Sequence, residues 1–216
     1  APDMRAVVLR EHGGLERLVY EADYRDPECG IDDVVIRTRA CALNYHDVFT
    51  RRGMPGIRLT LPLIVGNDAA GEVFRTGANV TAFKPGDRVL IDPSNRLDAG
   101  FLGETMDGGL GEFVRVPAHM LIALDADVDF ASAAALPVAY GTAHRMMIER
   151  GRIQPGETVL ILGASGGVGT GCVQLARKAG ATVVLCSWTD ERLARLEQCG
   201  ADIGINYATQ DWVAEC

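Results

Sequence analysis

The sequence predicts a β-rich N-terminal domain over residues 1–125, followed by the first half of a doubly wound parallel α/β sheet over residues 126–216. Three observations carry this expectation. Short segments rich in β-branched residues, punctuated by Gly, Pro and Asp, fill the first part of the chain. An unbroken apolar run at 158–162 leads into a glycine-rich turn and an amphipathic stretch. From there the pattern alternates strand, helix, strand, helix, strand, which is the order of a parallel sheet with crossover helices.

In chain order, residues 6–9, 33–39, 71–74, 87–91 and 111–116 read as strands. Gly13-Gly14, Gly77-Ala78-Asn79, Pro85-Gly86-Asp87 and Gly108-Gly109 punctuate them. Several short strands with regular turn signals predict a compact barrel. Residues 44–52 suit one short helix within it. Residues 130–150 are Ala-rich with helical spacing, and Pro137 should break or restart that helix. The run 158–162 reads as a strand buried on both faces. A helix follows over 168–178, with Val168, Cys172, Leu175, Ala176 and Ala179 on one stripe. Residues 182–186 form a second strand. A helix over 190–198 starts with Asp190 as its N-cap and ends at Gly200. Residues 203–205 make a third strand, and 208–216 begin another helix. Completing a six-stranded sheet takes about three further βα units, on the order of 90 residues, so the chain is expected to be part of a longer polypeptide.

Composition narrows the function classes. Of 216 residues, 48% are hydrophobic and 23% charged, as in ordinary globular domains. Asp and Glu number 29 against 21 Lys and Arg, giving a net charge of −8. With no basic block, an acidic surface repels phosphate backbones, and nucleic acid is not an expected partner. No apolar run approaches the roughly 20 residues that span a bilayer, so no membrane association is expected. The six cysteines never form C-x-x-C, and no export pattern opens the chain, which predicts reduced thiols and a cytoplasmic location.

The loop Gly163-Ala164-Ser165-Gly166-Gly167-Val168-Gly169 lies between a strand and a helix. A turn this tight needs residues without a bulky Cβ, and a helix N-terminus presents unpaired N–H groups to an anion. The spacing is G-x-x-G-x-x-G, a variant of the G-x-G-x-x-G pyrophosphate-binding pattern, and its strand–helix setting supports the dinucleotide reading. The next strand ends Val183-Val184-Leu185-Cys186-Ser187-Trp188-Thr189. NAD-binding versions place an acid there for the ribose hydroxyls, whereas NADP-binding versions offer a cation. Ser187 stands in the acid's place, and Arg192 lies one turn into the following helix, within reach of a 2′-phosphate. NADPH is therefore the expected cofactor, with Gly163, Ser165, Gly166, Gly167, Val168 and Gly169 around the pyrophosphate.

The chain resembles the medium-chain dehydrogenase/reductase superfamily, and within it the zinc-independent quinone oxidoreductase branch. The segments that carry the resemblance are Ala42-Leu43-Asn44-Tyr45-His46-Asp47, Pro62-Leu63-Ile64-Val65-Gly66-Asn67-Asp68-Ala69-Ala70-Gly71-Glu72-Val73 and Phe83-Lys84-Pro85-Gly86-Asp87-Arg88-Val89. Leu136-Pro137-Val138-Ala139-Tyr140-Gly141-Thr142-Ala143 and the Gly163–Gly169 loop continue it in the same order. The resemblance implies a GroES-like β-barrel catalytic domain, a Rossmann-type cofactor domain and a homodimer in the full-length protein. It further implies that Tyr207 lines the adenosine phosphate pocket, that Asn44 lies near the nicotinamide and that Tyr45 borders the substrate cleft.

The superfamily's alcohol dehydrogenases hold zinc through Cys, His and a third ligand. Those positions correspond to Asn44, Asn67 and Val138, and residues 92–111 lack the cysteines of the second, structural zinc. No metal is expected. Asp47 and Asp68 read as hydrogen-bonding residues of the fold, with His46 on the surface or lining the cleft. Without a metal, hydride transfer to an acceptor that is already electrophilic, a quinone or an α,β-unsaturated carbonyl, is the favoured chemistry. Asn44 and Asn67 would donate hydrogen bonds to the developing oxyanion. Met54 and Pro55 stand where related enzymes often carry a tyrosine, so that role does not transfer. Two alternatives stay open: a relative of the zinc alcohol dehydrogenases, and a non-catalytic NADP-binding or structural protein.

Overall fold

Among the described residues, ten short strands and two α-helices build the first part of the chain, and strand alternation decides which side chains they bury. In the computed structural model, residues 3–56 and 59–215 are described. The strands are β1 (Asp3–Leu9), β2 (Leu18–Arg25), β3 (Asp33–Ala42), β4 (Leu63–Ile64), β5 (Asp68–Thr76), β6 (Arg88–Ile91), β7 (Ser94–Asn95), β8 (Gly100–Phe101), β9 (Phe113–Pro117) and β10 (Leu121–Ala123). The helices are α1 (Tyr45–Arg52) and α2 (Phe130–Ala134). The backbone contacts divide the chain into two units, 1–137 and 138–216.

The first unit does not close into the predicted barrel. Among the described residues its strands form a three-stranded sheet in the order β2-β1-β4, a five-stranded sheet in the order β10-β6-β5-β3-β9, and the small β7-β8 ribbon. The reason lies in edge strands: β1 meets the neighbouring segment through a single bridge, Ala6 to Gly111, instead of a continuous ladder. The larger sheet is antiparallel throughout. Val34, Ile36, Val73, Val89, Ile91, Val114 and Val116 are buried together on one side of it. On the other side Ala70 and Leu90 pack with Ala133 and Ala134 of α2. Each large aliphatic side chain buried this way contributes about 1.5–3 kcal/mol. Helix α2 starts where Asp129 accepts the Ser132 N–H at 2.9 Å.

In the second unit α3 (Pro137–His144) begins at Pro137, as the break expected there requires, and runs into a π-helical turn over Arg145–Arg150. Then come β11 (Thr158–Ile161), α4 (Gly167–Lys178), β12 (Thr182–Ser187), α5 (Asp190–Gln198), β13 (Ile203–Asn206) and α6 (Trp212–Glu215). The three strands are parallel, in the order β11-β12-β13, with Thr158 beside Thr182 and Val184 beside Ile203. Cys172, Val173 and Ala176 of α4 pack with Val183 and Leu185 of β12 and Leu193 and Leu196 of α5.

Two expectations for this unit are corrected. The run at 158–162 is not buried on both faces: Leu160 and Leu162 are 39% and 59% exposed. Strand β11 lies at the edge of the sheet, where one flank of its ladder has no neighbour among the described residues. The N-cap of α5 is Thr189 rather than Asp190. Thr189 has the extended backbone that a cap requires, and its hydroxyl accepts the Arg192 N–H at 3.4 Å. Asp190 is already helical, and its carboxylate accepts instead from Asn206 Nδ2 at 2.7 Å. No helix among the described residues is long and apolar enough to cross a membrane.

Candidate functional site

In the second unit the candidate site is built from backbone. Gly163 turns the chain out of β11 at a φ of +64°. Gly166 is the N-cap of α4 and supplies no side-chain acceptor. The opening N–H groups of a helix have no partner within it, and here no acidic side chain stands in the first turn to take them. The helix therefore presents unpaired donors and the positive end of its dipole. Ser165, Gly166 and Gly167 are exposed, so this terminus is open to a ligand. Gly169 is required for packing: a Cβ there would lie 2.6 Å from Ala164 Cα and 2.8 Å from its carbonyl oxygen. Val168, half-buried, packs against the core under the helix.

At the end of β12, Ser187 is buried, and its Oγ has no hydrogen-bond partner. A buried hydroxyl without a partner costs free energy and marks a position where a donor or acceptor is wanted. The nearest acid in sequence, Asp190, is committed to Asn206. Arg192 is exposed and makes no ion pair among the described residues. Tyr207, 40% exposed at the end of β13, packs edge-on against Trp188 with ring centroids 5.7 Å apart. Trp188, which the sequence reasoning passed over, is 58% exposed. An exposed indole directly after a buried parallel strand is the signal that would have found it. These residues stand at the carboxyl ends of the parallel strands, where open α/β sheets bind their ligands.

In the first unit the predicted residues Asn44, Tyr45 and Asn67 cluster around the start of α1. Asn44 is the N-cap, with extended backbone, and the Asp47 carboxylate accepts its N–H at 2.7 Å. The other Asp47 oxygen accepts the Gly66 N–H at 3.0 Å. Asp47 is thus a hydrogen-bonding residue of the fold. Burial pushes its carboxyl above the usual range, and the N–H groups of Asn44 and Gly66 oppose that shift. Asn44 Nδ2 donates to Asp68 Oδ2 at 2.9 Å, and Asp68 is buried. Tyr45 is 68% exposed and packs edge-on against Phe49.

Asn67 lies deeper than an oxyanion donor would. It is fully buried, its Nδ2 donates to the Leu102 carbonyl at 2.7 Å, and its Oδ1 has no partner. His46, in the first turn of α1, pairs through Nε2 with Glu104 and packs against Phe101 at a centroid distance of 5.2 Å. Cys41 fills the space left by Gly66 and Gly109, whose added Cβ atoms would lie 2.8 and 3.0 Å from its sulfur. Desolvation, reinforced by Asp47 and Asp68, pushes its thiol up to about 12, so it stays protonated and unreactive at neutral pH. The five cysteines among the described residues are all free thiols.

The donor set does not suit zinc. Asn44 and Asn67 present amides already engaged with Asp68 and Leu102, and Val138 has no donor atom. Among the described residues no three His, Cys, Asp or Glu side chains converge as a metal site.

Two families match the chain: the alcohol dehydrogenase GroES-like domain over residues 30–126 and the zinc-binding dehydrogenases over residues 167–216. The chain belongs to the medium-chain dehydrogenase/reductase superfamily. It is 33% identical over 210 residues to a quinone oxidoreductase of Pongo abelii, covering 97% of this chain and 60% of that one. It is also 33% identical over 211 residues to an NADPH-dependent alkenal/one oxidoreductase, chloroplastic, of Arabidopsis thaliana, covering 97% and 54%. A crystal structure of an NAD-dependent alcohol dehydrogenase superposes with a TM-score of 0.91 at 36% identity, covering 98% of this chain and 66% of that one. The chain thus spans about 60% of the length of the first of these relatives.

Proposed function

We propose that the protein reduces a quinone or an α,β-unsaturated carbonyl with NADPH and without zinc. The observation that carries this reading is the open, uncapped N-terminus of α4 beside a β12 that ends in Ser187 instead of an acid. The alkenal/one and quinone oxidoreductase relatives support the same class of acceptor. When bound, NADPH supplies a hydride. The backbone N–H groups of Gly167, Val168 and Gly169 would hold its pyrophosphate, Ser187 and Arg192 the 2′-phosphate, and Tyr207 with Trp188 the adenosine. Asn44 retains a second amide hydrogen for the acceptor oxygen, and its first is fixed by Asp68, which sets the direction of that donor. Asn67 braces this wall through Leu102. Tyr45, exposed, borders the acceptor.

A paired fluorescence titration with NADPH and NADH tests the reading. Trp188 should be quenched on binding, and NADPH should bind at least about tenfold tighter than NADH, a difference of about 1.4 kcal/mol. Preference for NADH would overturn the assignment of Ser187. A full-length protein that binds NADPH yet consumes it with no quinone or enone would point to a non-catalytic role.

A further inference from the structure

The end of β13 holds a polar side chain that the roles above leave unused. Asn206 is 6% exposed and stands beside Ser187 in the parallel register, and the Tyr207 N–H donates to the Ser187 carbonyl at 3.1 Å. Each polar group of Asn206 is engaged. Its N–H donates to Gln210 Oε1 at 2.8 Å, and its carbonyl accepts the Thr209 and Gln210 N–H groups at 3.0 and 2.8 Å. Its Oδ1 accepts the Ala208 N–H at 3.0 Å, and its Nδ2 donates to Asp190 Oδ1 at 2.7 Å. A backbone N–H can only donate, so the Ala208 contact fixes which way the amide faces. The donor end meets Asp190 because the acceptor end is already taken. Asp190 and Glu191 are the acids in the first turn of α5. Glu191 pairs with Arg195 at 3.0 Å, further along the helix. Among the described residues Asn206 is the one hydrogen-bond partner of the Asp190 carboxylate.

We propose that Asn206 is a positioning residue for cofactor choice, holding the Asp190 carboxylate against the end of β13 and away from the 2′-phosphate of NADPH. This rests on the NADPH reading above. Two demands conflict at the start of α5. A carboxylate in the first turn favours the helix through the positive end of its dipole. A carboxylate three residues after Ser187 also repels a phosphate, and it would suit the free ribose hydroxyls of NADH. Asn206 reconciles the two. Its Nδ2 keeps the charge at the helix start and fixes the direction in which it points. The turn that follows β13 in turn fixes Asn206, through Ala208, Thr209 and Gln210. The acid near Ser187 therefore loses its usual meaning only when β13 pairs with β12 and brings Asn206 beside it.

The test measures the affinity of the full-length protein for NADPH and for NADH by calorimetric titration. Asn206→Ala should weaken NADPH binding by about tenfold and leave NADH binding equal or tighter, because the released carboxylate opposes only the phosphate. Adding Asp190→Ala to that variant should restore NADPH affinity to within about threefold of the wild type. Both variants lose the acceptor of the Ala208 N–H alike, so the difference between them isolates Asp190. Asp190→Ala alone should leave NADPH binding unchanged or tighter. Far-UV circular dichroism reports the fold of each variant. Asn206→Ser, whose hydroxyl can take the Ala208 N–H but is too short to reach Asp190, repeats the test if the alanine variant does not fold. Unchanged affinities in the Asn206 variant would overturn the proposal. So would an equal loss for both cofactors, or a loss that Asp190→Ala does not reverse, by making Asn206 a support of the turn alone. Each of these leaves the NADPH reading standing. A wild-type protein that prefers NADH would overturn that reading, and the role of Asn206 with it.

Discussion

Ser187 and Asp190 stand three residues apart, and their surroundings give them opposite meanings. An acid at the Ser187 position would have been the sequence signal for NAD. Asp190 is taken up by Asn206, and Ser187 keeps a buried Oγ without a partner. Ser187→Asp would place a carboxylate where a 2′-phosphate is expected. Like charges repel, and the new acid suits free ribose hydroxyls. The substitution should weaken NADPH binding by at least about tenfold, or 1.4 kcal/mol, and leave NADH binding equal or better, as titration with both cofactors would read. The place of Ser187 at the end of β12 was legible in the sequence because a strand end is a local feature. The commitment of Asp190 was not, because Asn206 lies on the next strand but is close only through parallel pairing.

Helix α1 is short, and one residue outside its periodic pattern holds its start in place. Asp47 accepts the N–H groups of both Asn44 and Gly66. Asp47→Ala would leave two backbone donors without partners at a partly buried helix start, at a cost of about 3 kcal/mol. An unfolding free energy from urea titration lowered by that amount would confirm it. The pH dependence has a definite sign. Burial raises the Asp47 carboxyl in the folded state, so over the interval between its unfolded and folded ranges the native protein binds more protons than the unfolded chain. Stability from this group therefore falls as pH rises through that interval. The stability difference between the wild type and Asp47→Asn should shrink from acid to neutral pH, and an increase would overturn this account. The sequence announced the helix and the polar role of Asp47. It did not announce Gly66 as the second partner, since that contact joins α1 to the segment before β5.

On the scale of each whole unit, the sheets decide what is exposed. Strand β11 presents Leu160 at a sheet edge, Leu162 is exposed directly after it, and Ile203 on β13 is half exposed. An apolar edge with unpaired backbone groups is a site for association between chains. The 216-residue chain should self-associate in light scattering, and Leu162→Lys should reduce that association without loss of NADPH binding. A monodisperse monomer would show that the edge is protected in solution. The acidic net charge of −8 opposes association but is spread over the chain, whereas the apolar contact is local.

What the sequence determined by itself is the order of elements and the chemistry of their ends. The βαβ alternation, the glycine loop, the Pro137 restart and the Gly200 stop all follow from hydrophobic period and backbone freedom, which a few neighbouring residues settle. Only the tertiary structure decided that the N-terminal strands form separate sheets instead of a barrel, and that β11 lies at an edge. Only it decided that Asn67 turns inward to Leu102, and that Glu104 reaches across 58 residues of chain to His46. Such contacts depend on how sheets pack and which polar groups must be satisfied once buried, and no local window of sequence contains both partners.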